Sequence, residues 1–204
     1  MELSANYQKE KWTASGSVFY SYITNFITAQ IDPELPRKYM PMNEPRFARR
    51  FTNIDAAAQA GVEGHVEYRW NQRWSTNGQI AYTHAQNLDW DEPLAEIPPL
   101  EGNIGLRYQR NKWWADARLR LVATQDRISS NFGETETAGF ETVDFRVGFN
   151  PLEKLSLGFS ALNLFDVNYY EHLNRGYRNM PEQGLLYEQG RNFTVFVKYT
   201  FFSK

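Results

Sequence analysis

The sequence predicts an all-β fold: a transmembrane antiparallel up-and-down β-barrel, to which these residues contribute nine strands. Three observations predict it. Uncharged side chains recur at every second position over long stretches, the period of a strand with unlike faces. The connections between the stretches alternate short and long. The tryptophans gather at the short-connection end.

Composition sets the outer bounds. The 204 residues are 42% hydrophobic and 23% charged, which excludes a disordered polar chain. A net charge of −2 leaves no basic footprint for nucleic acid. There is no cysteine, hence no disulfide framework, thiolate metal site or Cys nucleophile. The three histidines, His65, His84 and His172, are too few for most multi-histidine catalytic sites. No apolar run approaches the ~18 residues of a membrane helix. Met1-Glu2-Leu3-Ser4 does not open a signal peptide.

In chain order, the first alternating face is short: Leu3, Ala5 and Tyr7. The second is Trp12, Ala14, Gly16, Val18, Tyr20 and Tyr22. The third runs over 54–70, with Ile54, Ala56, Ala58, Ala60, Val62, Gly64, Val66, Tyr68 and Trp70 on one side. Asp55, Glu63, His65, Glu67 and Arg69 stand on the other. Those residues would span about 53 Å as a strand, more than a soluble sandwich needs. Six further faces follow, over 74–82, 100–108, 113–121, 143–149, 155–159 and 193–201.

The joints Lys9–Lys11, Asn71–Arg73, Asn111-Lys112 and Asn150–Lys154 are tight. Those over Asp32–Phe51, Ala85–Ile97, Gln125–Gly139 and Leu164–Gly190 are long, and the two kinds alternate without exception. Outer-membrane barrels follow this plan, with short periplasmic turns and long extracellular loops. Most prolines fall in the long joints, where a missing ladder donor costs nothing. Trp12, Trp70, Trp74, Trp113 and Trp114 flank three of the tight turns. Indoles favour the membrane interface, so these five are expected to form an aromatic girdle.

The polar face then lines a wetted lumen: Glu63, His65, Glu67, Arg69, Arg107, Asp116, Arg118, Arg120, Asp144 and Arg146. Opposite charges on adjacent strands are expected to pair across the wall. Bacterial single-chain barrels have even strand numbers. Nine is odd, which makes residues 1–204 the carboxy-terminal part of a longer barrel whose missing partner lies upstream.

Asn163-Leu164-Phe165-Asp166 followed by Tyr169-Tyr170 resembles a signature near the end of TonB-dependent outer-membrane receptors. Glu188-Gln189-Gly190-Arg191-Asn192-Phe193 resembles the entry to their last strand, with Gln189 in place of the usual proline. Ile97-Pro98-Pro99-Leu100 and Phe51-Thr52-Asn53 resemble strand starts of the same family. Val197, Tyr199 and Phe201 resemble the terminal signal read by the barrel-assembly machinery. The resemblance implies nine strands of a barrel of about 22. It also implies bacterial outer-membrane localisation and energy-coupled uptake of a scarce nutrient, a ferric siderophore or other metal chelate, with copper possible. TonB would act through a plug and TonB box that these residues do not contain. No cofactor and no enzymatic activity are implied.

Ligand candidates are few. Met40 and Met42 carry soft thioethers and His172 an imidazole, a set that could hold copper; the alternative is loop packing. Arg46, Arg49 and Arg50 could hold an anionic chelate. Tyr177, Arg178 and Tyr187 in the last long loop are further candidates to contact substrate. Three other readings compete. A passive porin would lack the plug. A small outer-membrane barrel enzyme would need a nucleophile–base pair, and no histidine here sits in a motif with Ser or Asp. A soluble β-sandwich binding module would need no detergent.

Overall fold

A computed structural model describes residues 1–36, 47–174 and 186–201. Among them there is no helix, and every element joins one antiparallel sheet. The strands are β1 (Glu2–Lys9), β2 (Trp12–Pro36), β3 (Phe47–Arg69), β4 (Trp74–Asn87), β5 (Glu92–Pro93), β6 (Glu101–Arg110), β7 (Trp113–Val122), β8 (Phe140–Leu152), β9 (Leu155–Leu162) and β10 (Asn192–Tyr199). The order is β1-β2-β3-β4-β6-β7-β8-β9-β10, with β5 attached to the end of β4. All nine expected strands form, each beside its sequence neighbour, as a meander requires. β1 and β10 are the two edges of this open sheet.

Two long connections are shorter than their sequence suggests. The segment over Asp32–Phe51 is not all loop: β2 and β3 run 25 and 23 residues, and Gln30 and Ile31 pair with Arg50 and Arg49. The prolines act locally. The register shifts between Ile31 and Pro36, the stretch that holds Pro33, and pairing resumes at Pro36 and Phe47. In Ala85–Ile97 the chain first makes a small hairpin, with Asn87 opposite Glu92 and Gln86 opposite Pro93.

The register also sorts the faces. Trp12, Tyr68, Trp74, Tyr108, Trp113 and Phe149 share the apolar face at the tight-turn end. Trp12 meets Tyr68 at 4.4 Å, Trp74 meets Tyr108 at 4.8 Å, and Trp113 stacks on Phe149 at 4.2 Å between ring centroids. Trp114 departs from the expected girdle. It pairs with Gln109 and Gly148 on the polar face, with the Arg107 guanidinium 5.1 Å from its ring. The reason is parity: adjacent strand residues cannot share a face. Its ring covers Gly148, where a Cβ would overlap the indole; Phe19 covers Gly61 and Phe196 covers Gly158 in the same way. In each case the aromatic lies directly opposite the glycine. Such pairs shield exposed backbone and pin register.

Ile54 is a second departure. Strict alternation puts it on the outward apolar face, yet it is 2% exposed. It packs in a cluster with Ala57, Ala85 and Leu94, against Ile23, Phe26, Trp90 and Ile97. Ile54 and Ala57 are an odd number of residues apart, so the alternation breaks between them. The break lies opposite Asn25, whose φ of 54° is unusual inside a strand. There the Asp89 carboxylate accepts from the backbone N–H groups of Asp55 and Ala56. At the far end, pairing of β10 stops at Tyr199, and Phe201 lies beyond it, edge-on to Tyr199 at 5.0 Å.

Candidate functional site

The polar face of β3, β4, β6, β7 and β8 forms the wall of the site. The ladder sets Asp116 between Arg107 and Arg146, and Arg118 beside Asp144. The expected charged rows therefore exist as register neighbours. The ion pairs on this wall include Arg146 with Asp144 at 3.7 Å and Arg69 with Glu67 at 3.0 Å, each two residues apart on one strand. His65 lies opposite Gln79, with ring Nδ1 and amide Nε2 3.4 Å apart.

Arg120 is the centre of the upper wall. Its Nε donates to Glu101 Oε1 at 2.9 Å and its Nη2 to Glu101 Oε2 at 2.8 Å. Its Nη1 donates to Glu171 Oε1 at 2.6 Å. The bidentate fork to Glu101 is the geometry that arginine favours. Glu171 belongs to the β9–β10 loop, so this contact ties that loop to the barrel wall. Glu63, His65, Gln79, Glu101, Glu171 and His172 all line one cleft of about 970 Å³.

The loops above the wall hold one another through two carboxylates. Glu92 accepts from Ser129 Oγ at 2.7 Å, Ser130 Oγ at 3.0 Å and the Asn131 N–H at 3.4 Å. Glu134 accepts from the N–H groups of Ser129 and Glu96 and lies 3.5 Å from His172 Nε2. Burial pushes the Glu134 carboxyl up, but the hydrogen bonds from His172, Ser129 and Glu96 outweigh it and hold it below the ordinary carboxylate range. His172 Nδ1 lies 2.8 Å from Thr137 Oγ1. Both ring nitrogens of His172 thus have protein partners, and its side chain is only 3% exposed.

The β7–β8 loop also reaches the long hairpin. Arg49 Nε donates to the Phe132 carbonyl at 2.6 Å, and its guanidinium lies 3.8 Å over the Phe132 ring. Ile31 N–H donates to the Asn131 carbonyl. Arg50 pairs with Asp32. Tyr187 packs edge-on to Tyr170 at 5.6 Å. Met40, Met42, Arg46, Tyr177 and Arg178 lie outside the described residues.

The two sequence signatures near the chain's end meet in space. Asn163, with φ 46°, ends β9 and is 5% exposed. Its Nδ2 donates to the Val167 carbonyl at 2.8 Å and its Oδ1 accepts from the Val167 N–H at 2.9 Å. Asp166 Oδ1 accepts from the Arg191 N–H at 2.7 Å. A Cβ at Gly190 would come within 2.7 Å of that same oxygen, so only glycine leaves room. The motif is a clasp that closes the β9–β10 loop at its base. Phe165 points out of it, 70% exposed.

Sequence reasoning missed Glu92, Glu101, Glu134 and Glu171 as site residues. Glu101 had a signal, since it shares the parity of Asn103 and Arg107 on β6. Glu92, Glu134 and Glu171 had none, because each meets partners 5 to 51 residues away through contacts in which at least one side lies in irregular chain.

No curated protein matches the chain. Among solved structures, it resembles the copper transporter OprC, with TM-score 0.86 and 26% identity, over 97% of this chain and 30% of that one. It has the fold of the ferric yersiniabactin uptake receptor FyuA from Yersinia pestis, with TM-score 0.72 and 17% identity, over 98% and 29%. It also has that of the siderophore receptor PiuA from Acinetobacter baumannii, with TM-score 0.64 and 11% identity, over 96% and 27%. The chain thus spans less than a third of these proteins. The family model "TonB dependent receptor-like, beta-barrel" matches residues 1–164. A long-stranded meander with a girdled apolar face, a charged concave wall and loops folded over it is therefore a β-barrel portion of a protein of the TonB-dependent receptor family, to which this chain belongs.

Proposed function

We propose that these strands form the carboxy-terminal wall of an outer-membrane receptor that imports a metal ion or metal chelate at the expense of TonB. A plug and TonB box on the remainder of the receptor would supply the coupling. The observation that carries this reading is the contrast between the faces. Ile80, Ile104, Leu106, Phe145 and Phe159 stand exposed on one side. Arg107, Asp116, Arg118 and Arg146 occupy the other. Lipid satisfies the first side and water the second. Lipid and the barrel-assembly machinery are partners on this reading, the latter through Val197, Tyr199 and Phe201.

Copper is the second cargo reading beside a ferric siderophore. It is favoured by the likeness to OprC, higher in both identity and TM-score than that to FyuA or PiuA. Met40, Met42 and His172 would then be its soft and imidazole donors. His172 would have to leave Thr137 and Glu134 to ligate. Arg46, Arg49, Arg50, Tyr177, Arg178 and Tyr187 would be the residues to meet a chelate.

The test is uptake by a strain carrying the full-length gene against its deletion, with and without TonB. Labelled copper and a panel of labelled ferric siderophores would be supplied separately. TonB-dependent accumulation of one of them supports the reading and names the cargo. Equal uptake without TonB would make the barrel a passive pore.

A further inference from the structure

Each strand that rises from the tight-turn end begins just after a cation. Lys11 precedes β2, Arg73 precedes β4, Lys112 precedes β7 and Lys154 precedes β9. The first three are followed directly by the girdle residues Trp12, Trp74 and Trp113. Two more cations share the face of the girdle, since Lys9 is the ladder partner of Trp12 and Arg110 that of Trp113. All these cations are exposed, and among the described residues none of them pairs with a carboxylate. The turns themselves hold only the carboxylates of Glu10 and Glu153, in a chain whose net charge is −2. The positive rim is therefore a local feature and not a reflection of composition.

Backbone bonds join the turns into one continuous row. The Arg69 N–H donates to the Lys11 carbonyl at 2.8 Å, the Gln109 N–H to the Arg73 carbonyl at 2.7 Å and the Asn150 N–H to the Lys112 carbonyl at 2.8 Å. Two side chains follow the same path: Lys11 Nζ donates to the Trp70 carbonyl at 3.4 Å and Lys112 Nζ to the Pro151 carbonyl at 2.6 Å. Indoles settle at the membrane interface, so the girdle sets this row at the headgroup level of the periplasmic leaflet. That leaflet is built of phospholipids. Lysine and arginine lay their stems on apolar surface and put the charge among the headgroups. Unpaired cations there attract an anionic headgroup, whereas a zwitterionic one carries its own ammonium against its phosphate.

We infer that the row of tight turns is a docking surface for anionic phospholipid headgroups of the periplasmic leaflet. Lys9 and Arg110 meet them beside the girdle, and Lys11, Arg73, Lys112 and Lys154 at the turn tips. The inference rests on the membrane placement proposed above. The occupant is set by charge complementarity and by continuity with the tryptophan girdle.

The experiment uses the full-length receptor. Fractionation first reads the membrane placement separately: absence from the outer-membrane fraction overturns that placement. The purified receptor is then mixed with phosphatidylglycerol or phosphatidylethanolamine in detergent micelles, and retained lipid is counted by native mass spectrometry. Phosphatidylglycerol should be retained in preference. Lys9→Gln with Arg110→Gln should cut its retention about fivefold per cation removed and leave phosphatidylethanolamine unchanged. Glu10→Gln with Glu153→Gln, which leaves every cation in place, should raise it. Arg127→Gln, a change at the loop end, should alter neither lipid. Equal retention of both lipids by the parent receptor would overturn the proposal and leave the rim to an acidic periplasmic protein. Retention unchanged in the Lys9 and Arg110 variant, or lowered as much by Arg127→Gln, would overturn it too.

Discussion

At the tight-turn end of the sheet, Trp74 meets Tyr108 across one strand pair, and Trp113 meets Phe149 in the same way. At the loop end, Glu134 gathers groups from residues 96, 129 and 172, and Arg120 joins Glu101 to Glu171. The first set of contacts needs only a register. The second needs three loops to be in place at once. Ladder contacts repeat along the strands and survive the loss of any one pair. The loop contacts form a network in which each carboxylate serves several donors, so single changes propagate.

The sharpest way to break this contrast is at the clasp. Asn163→Ala removes two buried hydrogen bonds to Val167 and leaves its N–H and carbonyl without those partners. A loss of roughly 2–3 kcal/mol is expected, read as a lower urea midpoint of the folded full-length barrel. A substitution at the girdle, Trp74→Phe, should cost less than half as much. Equal costs would show that the ends do not differ.

Arg120→Ala comes next. It frees Glu171 and leaves Glu101 without its fork, at a cost of about 1–2 kcal/mol for these partly exposed groups. Hydrogen exchange should quicken over residues 165–174 and stay unchanged over β1 and β2. Uniform protection would mean that the loop is held by other contacts.

Trp113 and Trp114 sharpen the comparison of faces at a single turn. With cysteine at each position in turn, a membrane-impermeant thiol reagent should label position 114 from the lumen of the plug-free barrel and spare position 113. Labelling of both, or of 113 alone, would reverse the assignment.

The smallest expected effect is with pH. The Glu134 carboxyl is held below its usual value of 4.5 in the folded protein. Its stabilisation is therefore complete above the unfolded value and is lost as pH falls through the depressed one. Exchange of the Ser129 and Glu96 amides, corrected for intrinsic rate, should rise only below about pH 4.5, and Glu134→Gln should remove that dependence. A transition near neutrality would point to another group.

How far the chain can be read without coordinates varies along it. The nine strands of the main ladder and the sign of their faces follow from period-two alternation, because a strand's facing is decided by its own backbone; the short β5 and the outer ends of β2 and β3 do not. Hence the rows through Arg107, Asp116 and Arg146 were legible, as was the outward row of Ile104 and Leu106. The exceptions are instructive. Trp114 was read with its neighbour Trp113 by proximity to a turn, although its parity already placed it inside. Ile54 could not be read, since its facing depends on an irregularity at Asn25 on another strand and on Asp89 beyond β4.

The sequence by itself determined an antiparallel meander with one face for lipid and one for water, because strand geometry converts alternation directly into sidedness. It also determined the family, through residues whose spacing survives in the clasp of Asn163, Asp166 and Gly190. Only the tertiary structure decided that Glu171 would close on Arg120, that Glu134 would serve three chain segments, and that both nitrogens of His172 would be taken. Those contacts join irregular segments whose separation is bridged by the curvature of the sheet, and no local period encodes a distance of that kind.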